Sequence, residues 1–255
     1  DKITLPSSIT RICSTSFLYC ESLTSIKTLN DSQLKIIDDY SFKQSTLAKI
    51  HIPNQVERIG KEAFSLCNNL QYIIFENQSN LKVIEESAFQ KSSIKYITIP
   101  SSVISIKQSA FYSCNNLHSV TFSNIQFSNL KEIEESTFAY SAIVDIEIPD
   151  SVEIIGKASF MSCGNLKTVK FSKFSKLHLI DESAFEKSSI KTISIPPQVE
   201  RIAKYSFHYC QQLDSLTFDE KSTLHYIDEE AFYETAIVSL VIPSQVRRIG
   251  KSAFF

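Results

Sequence analysis

Proline returns along this chain at a nearly fixed interval. Pro6, Pro53, Pro100, Pro149, Pro196 and Pro243 are separated by 47, 47, 49, 47 and 47 residues, and each closes or follows a stretch rich in Ile and Leu. That is an internal repeat, and it outranks chain length as a guide to the fold. Phenylalanine divides the period again: Phe17, Phe42, Phe64, Phe89, Phe111, Phe138, Phe160, Phe185, Phe207, Phe232 and Phe254 alternate spacings of 25 and 22, with one of 27. Each period is thus two related half-repeats. Residues 1–255 are read as a single domain of ten to eleven units of 22–25 residues, a piece of a longer protein.

One half-repeat runs from Ile52 to Phe75 and the other from Leu81 to Ile99. Both place a Phe five residues after an Ile and then continue into an apolar segment. The single 49-residue interval comes from two extra residues between Phe122 and Leu130, and an insertion tolerated there marks a surface loop. A unit this short cannot bury an apolar face alone, but stacked copies share a continuous core. Strands are expected at Leu23–Thr28, Leu47–Ile52, Leu70–Phe75, Ile94–Ile99, Leu117–Phe122, Ile143–Ile148, Leu166–Phe171, Ile190–Ile195, Leu213–Phe218 and Ile237–Ile242. They would pair in parallel roughly 4.8 Å apart. The phenylalanines, at one equivalent position, should form a file opposite the sheet.

Composition sets the outer bounds. With 43% hydrophobic and 21% charged residues the chain has the makings of a folded core. A formal charge of −2 without a clustered basic face argues against nucleic acid as a partner. No apolar run approaches the roughly 20 residues of a spanning helix, so no membrane insertion by this segment is expected. The start, Asp1-Lys2-Ile3-Thr4-Leu5-Pro6, is not expected to be a signal peptide.

The runs Ile99-Pro100-Ser101-Ser102-Val103, Ala110-Phe111-Tyr112-Ser113-Cys114-Asn115-Asn116-Leu117 and Ile249-Gly250-Lys251-Ser252-Ala253-Phe254 resemble the BspA-type, or treponemal-type, leucine-rich repeats. The resemblance implies a right-handed leucine-rich-repeat horseshoe, mostly parallel β, with short turns or 3-10 segments on the convex side. It also implies a surface protein of the kind found in anaerobic bacteria and mucosal protist parasites, adhering to host cells, matrix proteins or other microbes. A cytoplasmic interaction scaffold is the alternative. Glycine follows the core Ile only at Gly60, Gly156 and Gly250, a departure from the family pattern that bears on local turn geometry.

Residues that could carry chemistry fall into repeat positions. Cys20, Cys67, Cys114, Cys163 and Cys210 recur in alternate units, with Ser45, Ser92, Ser141, Ser188 and Thr235 between them. Equivalent cysteines two strands apart are too distant for a disulfide, so they are expected to be free, space-filling thiols. Cys13 and Cys20 are close enough in sequence to bridge, though free thiols are expected there too. Charge alternates two residues after the core Ile, from Asp39 and Lys61 to Glu229 and Lys251, which suits ion pairs between turns. His51, His118, His178, His208 and His225 are scattered, and no metal, cofactor or catalytic constellation is expected. Asn30-Asp31-Ser32 and Asn77-Gln78-Ser79 are glycosylation sequons at equivalent loops, about the number chance would give.

What remains is the outward side of the strands. Most of it is small and polar, but Lys49, His51, Tyr72, Ile74 and Tyr96 cluster on three neighbouring strands, with Asp145, Glu147 and Lys170 further along. Tyr beside Ile on an open surface is the composition that protein interfaces favour. The chain is therefore expected to be a non-enzymatic scaffold for a protein or glycoprotein ligand, either a monomer or associated end to end. The plainer reading is that cross-strand aromatic pairs only stabilise an exposed sheet.

Overall fold

The computed structural model describes all residues 1–255 and is a parallel β-solenoid of about eleven turns. One side is a ten-stranded parallel sheet in sequence order: Lys2–Thr4, Ser25–Lys27, Lys49–Ile52, Tyr72–Phe75, Tyr96–Ile99, Ser119–Phe122, Asp145–Glu147, Thr168–Lys170, Thr192–Ile195 and Ser215–Phe218. Register keeps like with like, as in Ile50 opposite Ile73, Val120 opposite Ile97 and Ile193 opposite Leu216. With a side-chain period of two, these residues are buried while their neighbours face outward.

The strands differ from expectation at both ends of the chain. Lys2–Thr4 is a strand, whereas Ile237–Ile242 is not. The latter has the right residues, but it does not pair with Ser215–Phe218, the last strand of the sheet. Val238 and Val241 stand 94% and 86% exposed, while Ile237, Leu240 and Ile242 are only partly buried against the core. The paired portions are also shorter than the apolar segments. Leu47, Leu70 and Ile94 are buried in the turn that enters each strand rather than in the strand itself.

A second side of the coil also pairs. Two-residue parallel strands stack as a five-stranded run from Arg11–Ile12 to Ser105–Ile106 and a six-stranded run from Glu132–Ile133 to Arg248–Ile249. The two runs are separated at the turn containing the insertion. There the Glu134 carboxylate spans the gap, accepting hydrogen bonds from Lys107 Nζ at 2.9 Å, Ser105 Oγ at 3.3 Å and Gln108 N at 3.2 Å. The only 3-10 segment, Ile125–Phe127, lies in that insertion and not on the far side as expected.

The far side is instead built from left-handed residues bracketing each phenylalanine. Tyr40 and Gln44 around Phe42 have φ of 59° and 56°, and Ser109 and Ser113 around Phe111 both have φ of 57°. This alternation aims every second amide at the next turn: Tyr40, Phe42 and Gln44 N–H donate to the carbonyls of Lys61, Ala63 and Ser65 at 2.8, 2.8 and 2.9 Å. The intervening amides of Ser41, Lys43 and Ser45 fold back onto Asp38, Tyr40 and Phe42. The backbone amides from Tyr40 to Ser45 are thereby all satisfied without helix, as a buried backbone requires.

Inside this turn the phenylalanines stand in file from Phe17 to Phe254, with centroids 5.0–5.4 Å apart and planes within 21°. Phe42 through Phe232 are fully buried. Each contributes roughly 1.5–3 kcal/mol by burial. The corner between the long sheet and the second side is a turn of two alternating kinds. Val56, Val103, Val152, Val199 and Val246 N–H close onto Pro53, Pro100, Pro149, Pro196 and Pro243 carbonyls. In the alternate units Ser32, Ser79, Ser128, Ser175 and Ser222 Oγ accept from the amide two residues on. The serines of both sequons are therefore turn residues that recur in every period, which accounts for the sequons without glycosylation.

Glycine after the core Ile answers a close approach and not a left-handed φ. A Cβ on Gly60 would sit 2.5 Å from the Asp38 carbonyl carbon and the Asp39 nitrogen, and one on Gly250 2.3 Å from the Glu229 nitrogen. The alternating charges pair between turns as expected, with Lys61–Glu86, Lys157–Glu182 and Lys204–Glu229 at 3.0, 3.1 and 3.2 Å. Such exposed pairs act on register more than on stability.

Candidate functional site

The outward residues of the long sheet form two rows, set by strand register. In one row Lys49 lies opposite Tyr72, Tyr72 opposite Tyr96, and Tyr96 opposite Ser119. In the other, His51 lies opposite Ile74. The five residues thus converge on one patch, with Tyr72, Ile74 and Tyr96 exposed at 44, 45 and 54%. Lys95 Nζ stands 6.0 Å from the Tyr72 ring centroid, a cation over an aromatic face. Inward neighbours Ile50, Ile73 and Ile97 are buried, so the patch is carried by a packed floor.

A hollow of about 560 Å³ opens beside the patch, lined by Tyr72, Ile74, Tyr96, Thr98 and the loop from Glu76 to Ser79. A second, of about 800 Å³, lies on its other flank against Lys27, Lys49 and His51. Beyond Tyr96 the sheet turns polar: Thr98 and Thr121 hydroxyls meet at 2.9 Å. Asp145 and Glu147 follow two strands after Tyr96, and Glu147 is in register with Lys170. The acidic pair and Lys170 are therefore on the same face but outside the aromatic patch.

Two clusters escaped the sequence reading. On the second side, the Arg58 guanidinium reaches Asp39, Glu85 and Asp38 at 2.7, 2.9 and 3.4 Å. Partial burial works against its charge, yet the hydrogen bonds to Glu85 and Asp39 keep its pKa above the ordinary value. On the far side, His208 is packed among Tyr209, Tyr205 and Tyr233 with centroids 4.4, 5.0 and 5.2 Å away. Its Nε2 lies 3.3 Å from Glu230 and its Nδ1 3.7 Å from Glu186. Glu186, His208 and Glu230 come from three consecutive turns, so only the knowledge of which positions stack would have joined them. With its side chain 15% exposed, His208 is packed between the turns.

The four interior cysteines, Cys67, Cys114, Cys163 and Cys210, are free and buried, while Cys13 is exposed, Cys20 half-buried, and both are free. No helix of the chain is long and apolar enough to cross a membrane.

Repeated turns, a shared Ile and Phe core and one open parallel sheet define a leucine-rich-repeat scaffold. The chain belongs to the BspA-type leucine-rich repeat family, whose sequence profile matches in six copies over residues 1–118 and 131–255. The fold is also that of a leucine-rich repeat protein from Bacteroides ovatus, 24% identical, with a TM-score of 0.75 over 100% of this chain and 72% of that one. The pneumococcal vaccine antigen PcpA is similar at 22% identity and a TM-score of 0.53, over 96% of this chain and 72% of its own. A search of curated proteins finds no match.

Proposed function

We propose that this chain is a cell-surface, adhesin-like scaffold that binds a protein or glycoprotein of a host or its matrix through the open sheet. Its contact centre is Tyr72, Ile74 and Tyr96 with Lys49 and His51. Asp145, Glu147 and Lys170 form a polar margin. The observation that carries the reading is the exposure of three large apolar or aromatic side chains on neighbouring strands of a surface otherwise made of polar and charged residues. Rigid Tyr side chains over a packed floor lose little freedom on contact, which is why they dominate binding energy where they occur. Membership of the BspA-type family and the likeness to a bacterial vaccine antigen favour an exposed location.

The test is adherence of the purified chain to fixed epithelial cells and to immobilised matrix proteins, alongside Tyr72→Ala, Tyr96→Ala and the double variant. The expected result is adherence by the parent and its loss in the double variant, with far-UV dichroism unchanged. Equal adherence by a folded double variant would remove the patch from the reading. Protection of the protein from surface labelling on intact cells would replace adhesion by an intracellular scaffold role.

A further inference from the structure

Two phenylalanines do not belong to the buried file. Phe127 and Phe174 are 76% and 66% exposed, at loop tips on the rim of the sheet. Their positions are equivalent, because each precedes the serine whose Oγ accepts from the Leu amide two residues on, Ser128 to Leu130 and Ser175 to Leu177. In the other periods this place is held by Asp31, Gln78 and Lys221. The strands feeding the two loops, Ser119–Phe122 and Thr168–Lys170, are two apart in the sheet, so the loops lie about 10 Å from each other on one edge.

The same edge is basic. Lys173 and Lys176 lie in the turn that carries Phe174, Lys170 ends the strand that feeds it, and all three are exposed. Lys173 Nζ lies 5.0 Å from the Phe174 ring centroid. The nearby ion pairs run through other lysines, Lys131 with Glu153 and Lys191 with Asp214, and Lys170, Lys173 and Lys176 form none. Asp150, on the loop between the two phenylalanines, is engaged by the Ser172 hydroxyl. Glu200 faces Lys173 and Lys176 across a shallow hollow, and Glu147 and Asp219 line a second one with Lys170 and Lys173. Lysines alone would suit any polyanion. Large apolar side chains at adjacent loop tips add a requirement for an apolar medium beneath the anionic layer, which a lipid surface supplies and a soluble polyanion does not.

We propose that the rim formed by residues 123–129 and 172–176 docks peripherally on an anionic lipid surface. Phe127 and Phe174 enter the headgroup layer and Lys173 and Lys176 meet the lipid phosphates. This contact borders the hollow beside the aromatic patch, which Ser123 and Asn124 also line, but it does not use Tyr72, Ile74 or Tyr96.

The experiment is co-sedimentation of the chain with vesicles of phosphatidylcholine, or of phosphatidylcholine with phosphatidylserine, at low and physiological salt. Binding is expected only with phosphatidylserine present, falling with salt and reduced at least about tenfold by Phe127→Ser with Phe174→Ser, or by Lys173→Glu with Lys176→Glu. The chain has no Trp, so Phe174→Trp reports independently: its emission should shift to the blue on anionic vesicles. Equal binding to both vesicle types, undiminished binding by the double Phe variant, or an unshifted Trp emission would each overturn the proposal. So would tight binding of dextran sulfate that survives loss of both phenylalanines, since that identifies a soluble polyanion as the ligand.

Discussion

The thiol of Cys114 donates to the carbonyl oxygen of Phe89, 3.0 Å away on the preceding turn, and also meets the Ser92 hydroxyl at 3.6 Å. Cys67 repeats the arrangement on Phe42 and Ser45, Cys163 on Phe138 and Ser141, and Cys210 on Phe185 and Ser188. The alternation of Cys and Ser along the repeat is thus a packing device. The thiol fills space, satisfies one turn carbonyl and stacks on the hydroxyl of the unit before.

Burial pushes these thiols up, Cys114 and Cys210 to about 12 and Cys67 and Cys163 to about 11, with the serine hydrogen bonds opposing it in part. An unburied thiol ionises near 9. The unfolded chain therefore releases protons above pH 9 that the native chain retains. Stability that is whole below pH 9 falls as pH climbs through 11 to 12. The urea midpoint should be lower at pH 10 than at pH 8. At pH 8 a thiol reagent should label Cys13 and Cys20 ahead of the other four, which react only as the chain unfolds. Rapid labelling of all six in the native protein would contradict the packing described.

Phe138 sits mid-file, 5.3 Å from Phe111 and 5.4 Å from Phe160, beside the turn where the second sheet is interrupted. Its replacement by Ala should cost about 3–5 kcal/mol in urea denaturation. Phe17, only partly buried at the end of the file, should cost clearly less. Equal losses at the two positions would show that the file is not what holds neighbouring turns together.

Much of this was legible because the repeat marks equivalent positions before any contact is known. The 22 and 25 spacing put the phenylalanines in one file, and the period of two sent Tyr72, Ile74 and Tyr96 outward beside Lys49 and His51. The misses share a cause, which is that pairing depends on neighbours and not on the residues alone. Ile237–Ile242 reads like every other strand yet lies outside the ladder. Arg58–Ile59 is two residues long and carries no periodicity, although it sits in a sheet. The far-side turns were hidden because Ser, Tyr, Lys and Glu occupy left-handed positions where Gly would have announced them.

Those left-handed positions give a direct test. Gln44, exposed with φ of 56°, donates its amide to Ser65 on the next turn. Left-handed backbone is worst for β-branched side chains, and Thr15, in the first unit, is the only one at such a position. Gln44→Val should destabilise by about 1–2 kcal/mol, whereas Gln44→Asn should be neutral or better. Thermal melts of both variants decide it, and a Val variant as stable as the parent would deny the strain.

Gly60 and Gly164 separate crowding from flexibility within one molecule. At Gly60 the nearest atoms to an added Cβ are backbone, 2.5 Å away on Asp38 and Asp39, and the Gly60 amide donates to Ile37 at 2.8 Å. Neither neighbour is a side chain that can swing aside. Gly60→Ala should therefore force the turns apart and cost about 1–3 kcal/mol, with the Arg58 contacts to Asp39 and Glu85 disturbed as well. Around Gly164 an added Cβ meets nothing within 4 Å, and its φ is not left-handed. Gly164→Ala removes freedom from the unfolded chain without crowding the folded one, so it should stabilise by about 0.4–1 kcal/mol. Opposite signs for the two substitutions in one set of urea curves are expected. The same sign for both would mean that glycine at the core Ile serves chain flexibility and not the contact between turns.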